Sequence, residues 1–255
     1  MRLGIVSDIH GNRFALEATL RNLDDLGIDR LICLGDVVGY GPDPESCLDL
    51  LLERDAFIVL GNHEEAVLDP RIALGFRDIA REAIDWTRRR LRRQRPDLLE
   101  RLSSMPGMGY IGGAVMCVHD SPVPGGRRYL VEPKDTVAAF RGVDVPICLV
   151  GHTHLPAAFR LRSDNQDGGA GTTVEAWPRR SLGAISIEPR DRWIVNPGAV
   201  GQPRDGDPRA SFGMLDLSEG TMTWRRVAYD IASAQQRAID AGLPLRTAER
   251  LAVGA

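Results

Sequence analysis

Lysine is all but absent from this chain. Of its 32 basic residues only Lys134 is not an arginine, a bias we read as codon composition. The arginines bring no basic surplus, because 35 acidic residues leave a formal net charge of -3. There is thus no global field to hold nucleic acid, and no strong nucleic-acid signal. Cysteine is also scarce. Cys33, Cys47, Cys117 and Cys148 show no CxxC spacing. Three of them sit in short apolar runs, where a free thiol acts as a small buried hydrophobe, so thiolate metal sites and disulfides are not expected. No apolar stretch approaches the eighteen or so residues of a membrane span. Asp8 arrives before a signal-peptide apolar region could form. These absences predict a cytoplasmic protein with no membrane partner. What remains is ordinary globular composition, 43% hydrophobic and 26% charged over 255 residues. That excludes wholesale disorder, collagen and coiled coil, and suffices for a core without a disulfide or metal staple.

Short apolar runs recur at Leu3–Val6, Leu31–Leu34, Phe57–Leu60, Val115–Val118 and Ile147–Val150. Each has strand length, and runs apolar on both faces suit a sheet covered on both sides. Helical patterns lie between the early runs. Asn12 can cap a helix carrying Ala15, Leu16, Leu20, Leu23 and Leu26, with Gly27 as its stop. Pro44 opens a second with Cys47, Leu48, Leu51 and Leu52 inward. The resulting β-α-β-α-β order predicts an α/β fold with parallel strands and right-handed crossovers.

Residues 64–104 contain no strand run and hold six arginines in the eight positions Arg88–Arg95. They read as a helical insertion, its arginines either a solvated helix face or a patch meeting an anionic substrate. Further strands are expected at 157–162, 183–188, 192–195, 210–217 and 221–228. Ser163–Gly171 is a flexible loop by composition. Residues 230–255 read as a helical tail broken at Gly242-Leu243-Pro244. With no linker or repeat, residues 1–255 are expected to form one domain.

The histidines carry the chemistry. All five, His10, His63, His119, His152 and His154, lie just after an apolar run. Asp8, Asp36 and Asn62 occupy the same kind of position. In an α/β sheet the carboxyl ends of parallel strands form the site edge. A satisfied core histidine explains any one of these residues better than a site does, but it explains five of five poorly. Carboxylates, an Asn carbonyl and imidazoles without thiolate suit Mn, Fe or Zn better than Ca or an iron–sulfur cluster. Asp8-x-His10 and His152-x-His154 each put two donors on one side of an extended turn. With Asp36, Asn62 and His119 they exceed the needs of one tetrahedral ion, whereas a two-metal site with a shared carboxylate uses them all.

In this order Asp8-x-His10, Gly35-Asp36, Gly61-Asn62-His63-Glu64, His119 and Gly151-His152-Thr153-His154 resemble the calcineurin-like metallophosphoesterase superfamily. Asn196-Pro197-Gly198-Ala199-Val200-Gly201-Gln202-Pro203-Arg204 resembles a segment of its small bacterial members. The resemblance implies a four-layer α-β-β-α sandwich with a dinuclear metal site at the carboxyl ends of the strands. It implies that Asp8, His10 and His154 hold one ion, that Asn62, His119 and His152 hold the other, and that Asp36 bridges them. The ions would be Mn first, with Fe, Zn or Ni as alternatives. His63 would be catalytic, stabilising or protonating the leaving oxygen during in-line attack by a metal-bridging hydroxide. Arg204 could contact phosphate, or could be a turn arginine satisfying local carbonyls. Glu64 is expected to cap a helix, not to bind metal, and Asp120 to add an outer acceptor near His119.

The implied function is hydrolysis of a phosphodiester or phosphomonoester, with a small phosphorylated molecule or nucleotide as partner. Two alternatives stand beside it: a phosphatase of proteins or dinucleoside polyphosphates, and a non-catalytic scaffold of the same fold. The protein-phosphatase branch carries Gly-Asp-x-x-Asp-Arg-Gly where this chain has Gly35-Asp36-Val37-Val38-Gly39-Tyr40-Gly41. Gly39 and Tyr40 thus replace a His-orienting carboxylate and a phosphate-gripping arginine, which counts against that branch and leaves open what orients His63.

Overall fold

Every residue of the first apolar run is buried, but alternate side chains serve different layers. Leu3 and Ile5 of β1 (Arg2–Val6) enter one core and Val6 another. The same division recurs in β2 (Arg30–Cys33), where Ile32 joins the first core and Leu31 and Cys33 the second. This is why the runs show no polar alternation: both faces are covered. The computed structural model describes residues 1–123, 129–162, 173–177 and 183–255. The expected loop at Ser163–Gly171 lies outside them.

The first half follows the expected order. Asn12 Oδ1 accepts the Ala15 N–H at 3.1 Å and caps α1 (Arg13–Asp25). Pro44 opens α2 (Pro44–Leu52), and β1, β2 and β3 (Phe57–Ile58) run parallel. Strand β3 is shorter than its apolar run, because the Leu60 N–H turns away to the Pro106 carbonyl. Four helices follow: α3 (Asn62–Leu68), α4 (Pro70–Ala73), α5 (Asp78–Gln94) and α6 (Pro96–Ser103). The chain then forms β4 (Met108–Ile111), β5 (Val115–Val118), α7 (Pro133–Ala139), β6 (Ile147–Leu149), β7 (Pro156–Leu161) and β8 (Val174–Ala176). Next come β9 (Ala184–Ser186), β10 (Arg192–Pro197), β11 (Ala210–Asp216), β12 (Thr221–Val227), α8 (Ile231–Asp240) and α9 (Leu245–Glu249).

Among the described residues two mixed sheets form, in the orders β3-β2-β1-β11-β12-β9 and β4-β5-β6-β10-β7-β8. Leu3, Ile5, Ile32, Val115, Cys117, Ile147, Leu149, Trp193 and Val195 fill the space between them. Outside the first sheet lie α1 and α2, and outside the second lie Ala139 and Phe140 against Met116, Cys148 and Ile194. The layers are therefore α-β-β-α. Truncating one such core Leu or Ile to Ala costs about 2–5 kcal/mol, so the two sheets are held firmly face to face. Their parallel strands β1, β2, β3, β5, β6 and β10 end on one rim.

All four cysteines are buried free thiols. Burial pushes the Cys117 thiol up to about 12. Arg89, Arg92 and Arg93 are exposed, while Arg88 pairs with Asp85, Arg90 with Glu45, and Arg95 with Asp49 and Asp97. The tail folds back over the loop after β2. Ala238, Leu243 and Ala248 pack with Ala83 of α5, the Trp86 indole donates to the Ala241 carbonyl at 3.0 Å, and Arg237 pairs with Asp43. No described helix is long and apolar enough to cross a membrane.

Candidate metal centre

The turns that leave the rim after β1, β2 and β6 are bent in a way side chains seldom tolerate. Asp8, His10, Asp36, His152 and His154 all have positive φ, between 49° and 65°. Such non-glycine conformations are costly, and they cluster where function demands them. Here they aim donors inward. Asp8, His10, Asp36 and His154 form one cluster, and Asp36, His119 and His152 form another, with donor atoms in each lying within 4.8 Å of one another. Asn62 joins the second, its Oδ1 3.1 Å from His119 Nε2. The seven predicted donors thus meet at one place, and Asp36 belongs to both groups.

Hydrogen bonds settle which atoms are available. His10 Nδ1 lies 3.1 Å from the Val38 carbonyl, His119 Nδ1 2.7 Å from that of Leu34, and His154 Nδ1 2.5 Å from that of Gln202. A carbonyl only accepts, so each Nδ1 carries the hydrogen and donates. In the neutral rings Nε2 then bears a lone pair. The Nε2 atoms of His10 and His154 are 3.2 Å apart, and burial lowers both imidazoles well below their usual range. Two lone pairs facing each other repel, and a cation between them turns that repulsion into ligation. Asp8 Oδ2 accepts the His152 N–H, but its Oδ1, 3.3 Å from His154 Nε2, has no donor. This buried N/O set fits divalent transition ions.

Asp36 is placed to serve both clusters. Its Oδ1 accepts the His63 N–H at 2.9 Å, while Oδ2 lies 3.3 Å from His119 Nε2 and 3.7 Å from His10 Nε2. Burial alone would raise its carboxyl, but His119 foremost, then His63 and His10, outweigh that and hold it well below the carboxylate range. Burial likewise opposes charge on His119, and Asp36 overrides it, lifting the imidazole to about 10. Asp8 is raised to about 7, chiefly by burial.

Glu64 caps α3, as expected, and does more. It accepts from the Gly61, Asp36 and Val38 N–H groups at 2.8, 2.8 and 3.0 Å, so one buried carboxylate ties the β2 and β3 exits together. Burial raises its carboxyl to about 7. Glu64→Ala would leave those three buried donors unpaired, at a cost of about 3 kcal/mol or more. Thermal denaturation should show a fall in Tm of about 6–12 °C. A shift below about 1 °C would mean that the three amides find other acceptors.

His63 sits beside the clusters, its ring centroid 4.6 Å from that of His10. What orients it is now visible. Its ring is packed among His10, Tyr40 and Phe76, and its Nδ1 has no hydrogen-bond partner. Gly39, at φ +81°, lies so close that any Cβ there would strike His63 Nδ1. The ring occupies the space that a carboxylate at position 39 would need, so shape replaces a hydrogen bond. Arg204 donates to Gln202 Oε1 at 2.8 Å, and its N–H donates to the His154 carbonyl. Asp120 Oδ1 accepts the N–H of Ser121 at 2.6 Å.

Sequence reasoning missed several supports. Asn196 Nδ2 donates to the Gly151 carbonyl at 2.6 Å and to Thr153 Oγ1 at 3.1 Å, fastening the β10 exit to the His152–His154 turn. The Asn196-Pro197-Gly198 turn was the available signal. Tyr129, stacked on His152 at 4.2 Å, left none.

Comparison with known proteins agrees with this geometry. Residues 1–220 match the family described as the calcineurin-like phosphoesterase superfamily domain. A crystal structure of a metallophosphoesterase from Sphaerobacter thermophilus is 36% identical, with TM-score 0.82, covering 100% of this chain and 99% of that one. An uncharacterised protein of Methanocaldococcus jannaschii is 32% identical over 253 residues, 99% of this chain and 98% of its own length. A hypothetical protein from Pyrococcus horikoshii, 18% identical with TM-score 0.75 and covering 100% of this chain and 98% of its own, shares the fold.

Proposed function

This chain belongs to the calcineurin-like phosphoesterase superfamily and is a metal-dependent hydrolase of phosphoric esters, and on that premise we propose that it works with two divalent cations on a small phosphorylated molecule or nucleotide. The observation that carries this reading is the position of Asp36 Oδ2 between the two donor clusters. Asp8, His10 and His154 would hold one ion, and Asn62, His119 and His152 the other, with Asp36 common to both. Manganese heads the candidates, with Fe, Zn and Ni compatible with the same donors.

Such an ion pair supplies polarisation of the phosphoryl oxygens and a nucleophile near neutral pH. The chain's own residues do the rest. Carbonyls of Val38, Leu34 and Gln202 fix the tautomers of three imidazoles. Burial pushes His63 down to about 4, so the ring is neutral at pH 7. The negative charge of a bound ester favours its protonation, after which it can pass the proton to the leaving oxygen. With glycine at 39 and tyrosine at 40, the chain lacks the grip of the protein-phosphatase branch, which favours small substrates.

Purified chain supplied with Mn²⁺ should hydrolyse p-nitrophenyl phosphate or its bis-ester and bind about two ions per chain by elemental analysis. EDTA should return turnover to background. Inactivity with every divalent metal tried would favour the scaffold reading instead.

A further inference from the structure

Three of the four histidines in the two clusters are held from behind. The Nδ1 atoms of His10, His119 and His154 each donate to a main-chain carbonyl, which sets the tautomer and the plane of the ring. His152 lacks this support. Among the described residues no carbonyl or carboxylate lies within hydrogen-bond reach of its ring, and it is the backbone N–H that bonds, to Asp8 Oδ2 at 3.2 Å. His152 is also the most open of the four, 9% exposed against 2% or 3% for the others.

What meets the His152 ring is aromatic. His119 stands edge-on, 5.2 Å away between centroids and inclined at 67°. Tyr129 lies nearly parallel, 4.2 Å away at 23°. The tyrosine is itself 53% exposed, so it covers one face of the imidazole and shows the rest of its own ring to solvent. Such a stack opposes tilting of the imidazole. It also favours the ligated state. An imidazole that gives its lone pair to a cation takes on positive character, and the π face of a phenol attracts it.

We propose that Tyr129 is a positioning residue for the second ion, the one assigned to Asn62, His119 and His152, and that its ring does for His152 what a carbonyl does for each of the other three. The two ions are then held unequally, because retention of the second depends on an exposed side chain. This rests on the two-ion reading of the rim.

Calorimetric titration of the EDTA-treated full chain with Mn²⁺ reads each ion without turnover. The parent should take up about two ions. Tyr129→Ala should bind one of them about tenfold more weakly and keep the other within about twofold. Tyr129→Phe keeps the ring and loses only the hydroxyl, so it should bind both within about twofold of the parent. His10→Ala identifies the ion affected. It should retain only the second ion, and adding Tyr129→Ala should weaken that ion about tenfold. The Tm values of the EDTA-treated variants at position 129 should agree with the parent within about 2 °C, which reports intact folding. Unchanged affinities in Tyr129→Ala, an equal loss in Tyr129→Phe, or no added loss in the His10→Ala background would each overturn the positioning role and leave the two-ion reading standing. A parent that takes up no second ion would instead remove the two-ion reading, and the role of Tyr129 with it.

Discussion

Asp36→Asn is expected to strip both cations together and to lower phosphoesterase turnover by at least about three orders of magnitude. The argument is geometric. Asp36 Oδ2 faces His119 Nε2 and His10 Nε2, which belong to different clusters. An amide keeps one oxygen, which can still accept the His63 N–H, so the loop after β3 should hold its shape. It cannot offer a second, anionic oxygen to two ions at once. Metal content, measured by elemental analysis on chain reconstituted with Mn²⁺, should fall from about two ions to well below one. His10→Ala is the control, because His10 belongs to one cluster only and its loss should leave the second ion bound. Retention of a full ion by Asp36→Asn would show that Asp36 serves one position, and the bridging role would be lost.

The parts of this site that could be read from sequence are those where chemistry and strand geometry impose the same residue. A hydrophobic run that ends in Asp8-x-His10 or His152-x-His154 tells of a strand buried on both faces and of donors at its exit. The supports were harder to see, because they depend on residues distant in the chain. The three amides held by Glu64 come from two loops, and nothing local to Glu64 reveals more than a helix cap. Positive φ at five of the donor residues left no trace, since none is glycine. Strand β4, with Met108 and Tyr110 exposed, lacks an apolar run and is defined by pairing with β5. Gly39 looked like a lost carboxylate until the ring of His63 was seen to fill its space.

His63→Ala separates metal binding from the proton. The imidazole ring touches His10, Tyr40 and Phe76, whereas its backbone N–H is what Asp36 accepts. Alanine keeps that N–H and removes only the ring. Both ions should therefore remain, while kcat falls by about 10²–10⁴-fold, the range of a lost general acid. The size of the loss should depend on the leaving group. A p-nitrophenyl ester departs as a stable phenolate and needs little help, so its rate should fall least. An alkyl ester departs as a strongly basic alkoxide and should suffer most. Equal losses on both esters would mean that His63 positions the phosphate without delivering a proton. Loss of an ion along with the ring would mean that it is a ligand after all, and the division of labour between His63 and the seven donors would have to be redrawn.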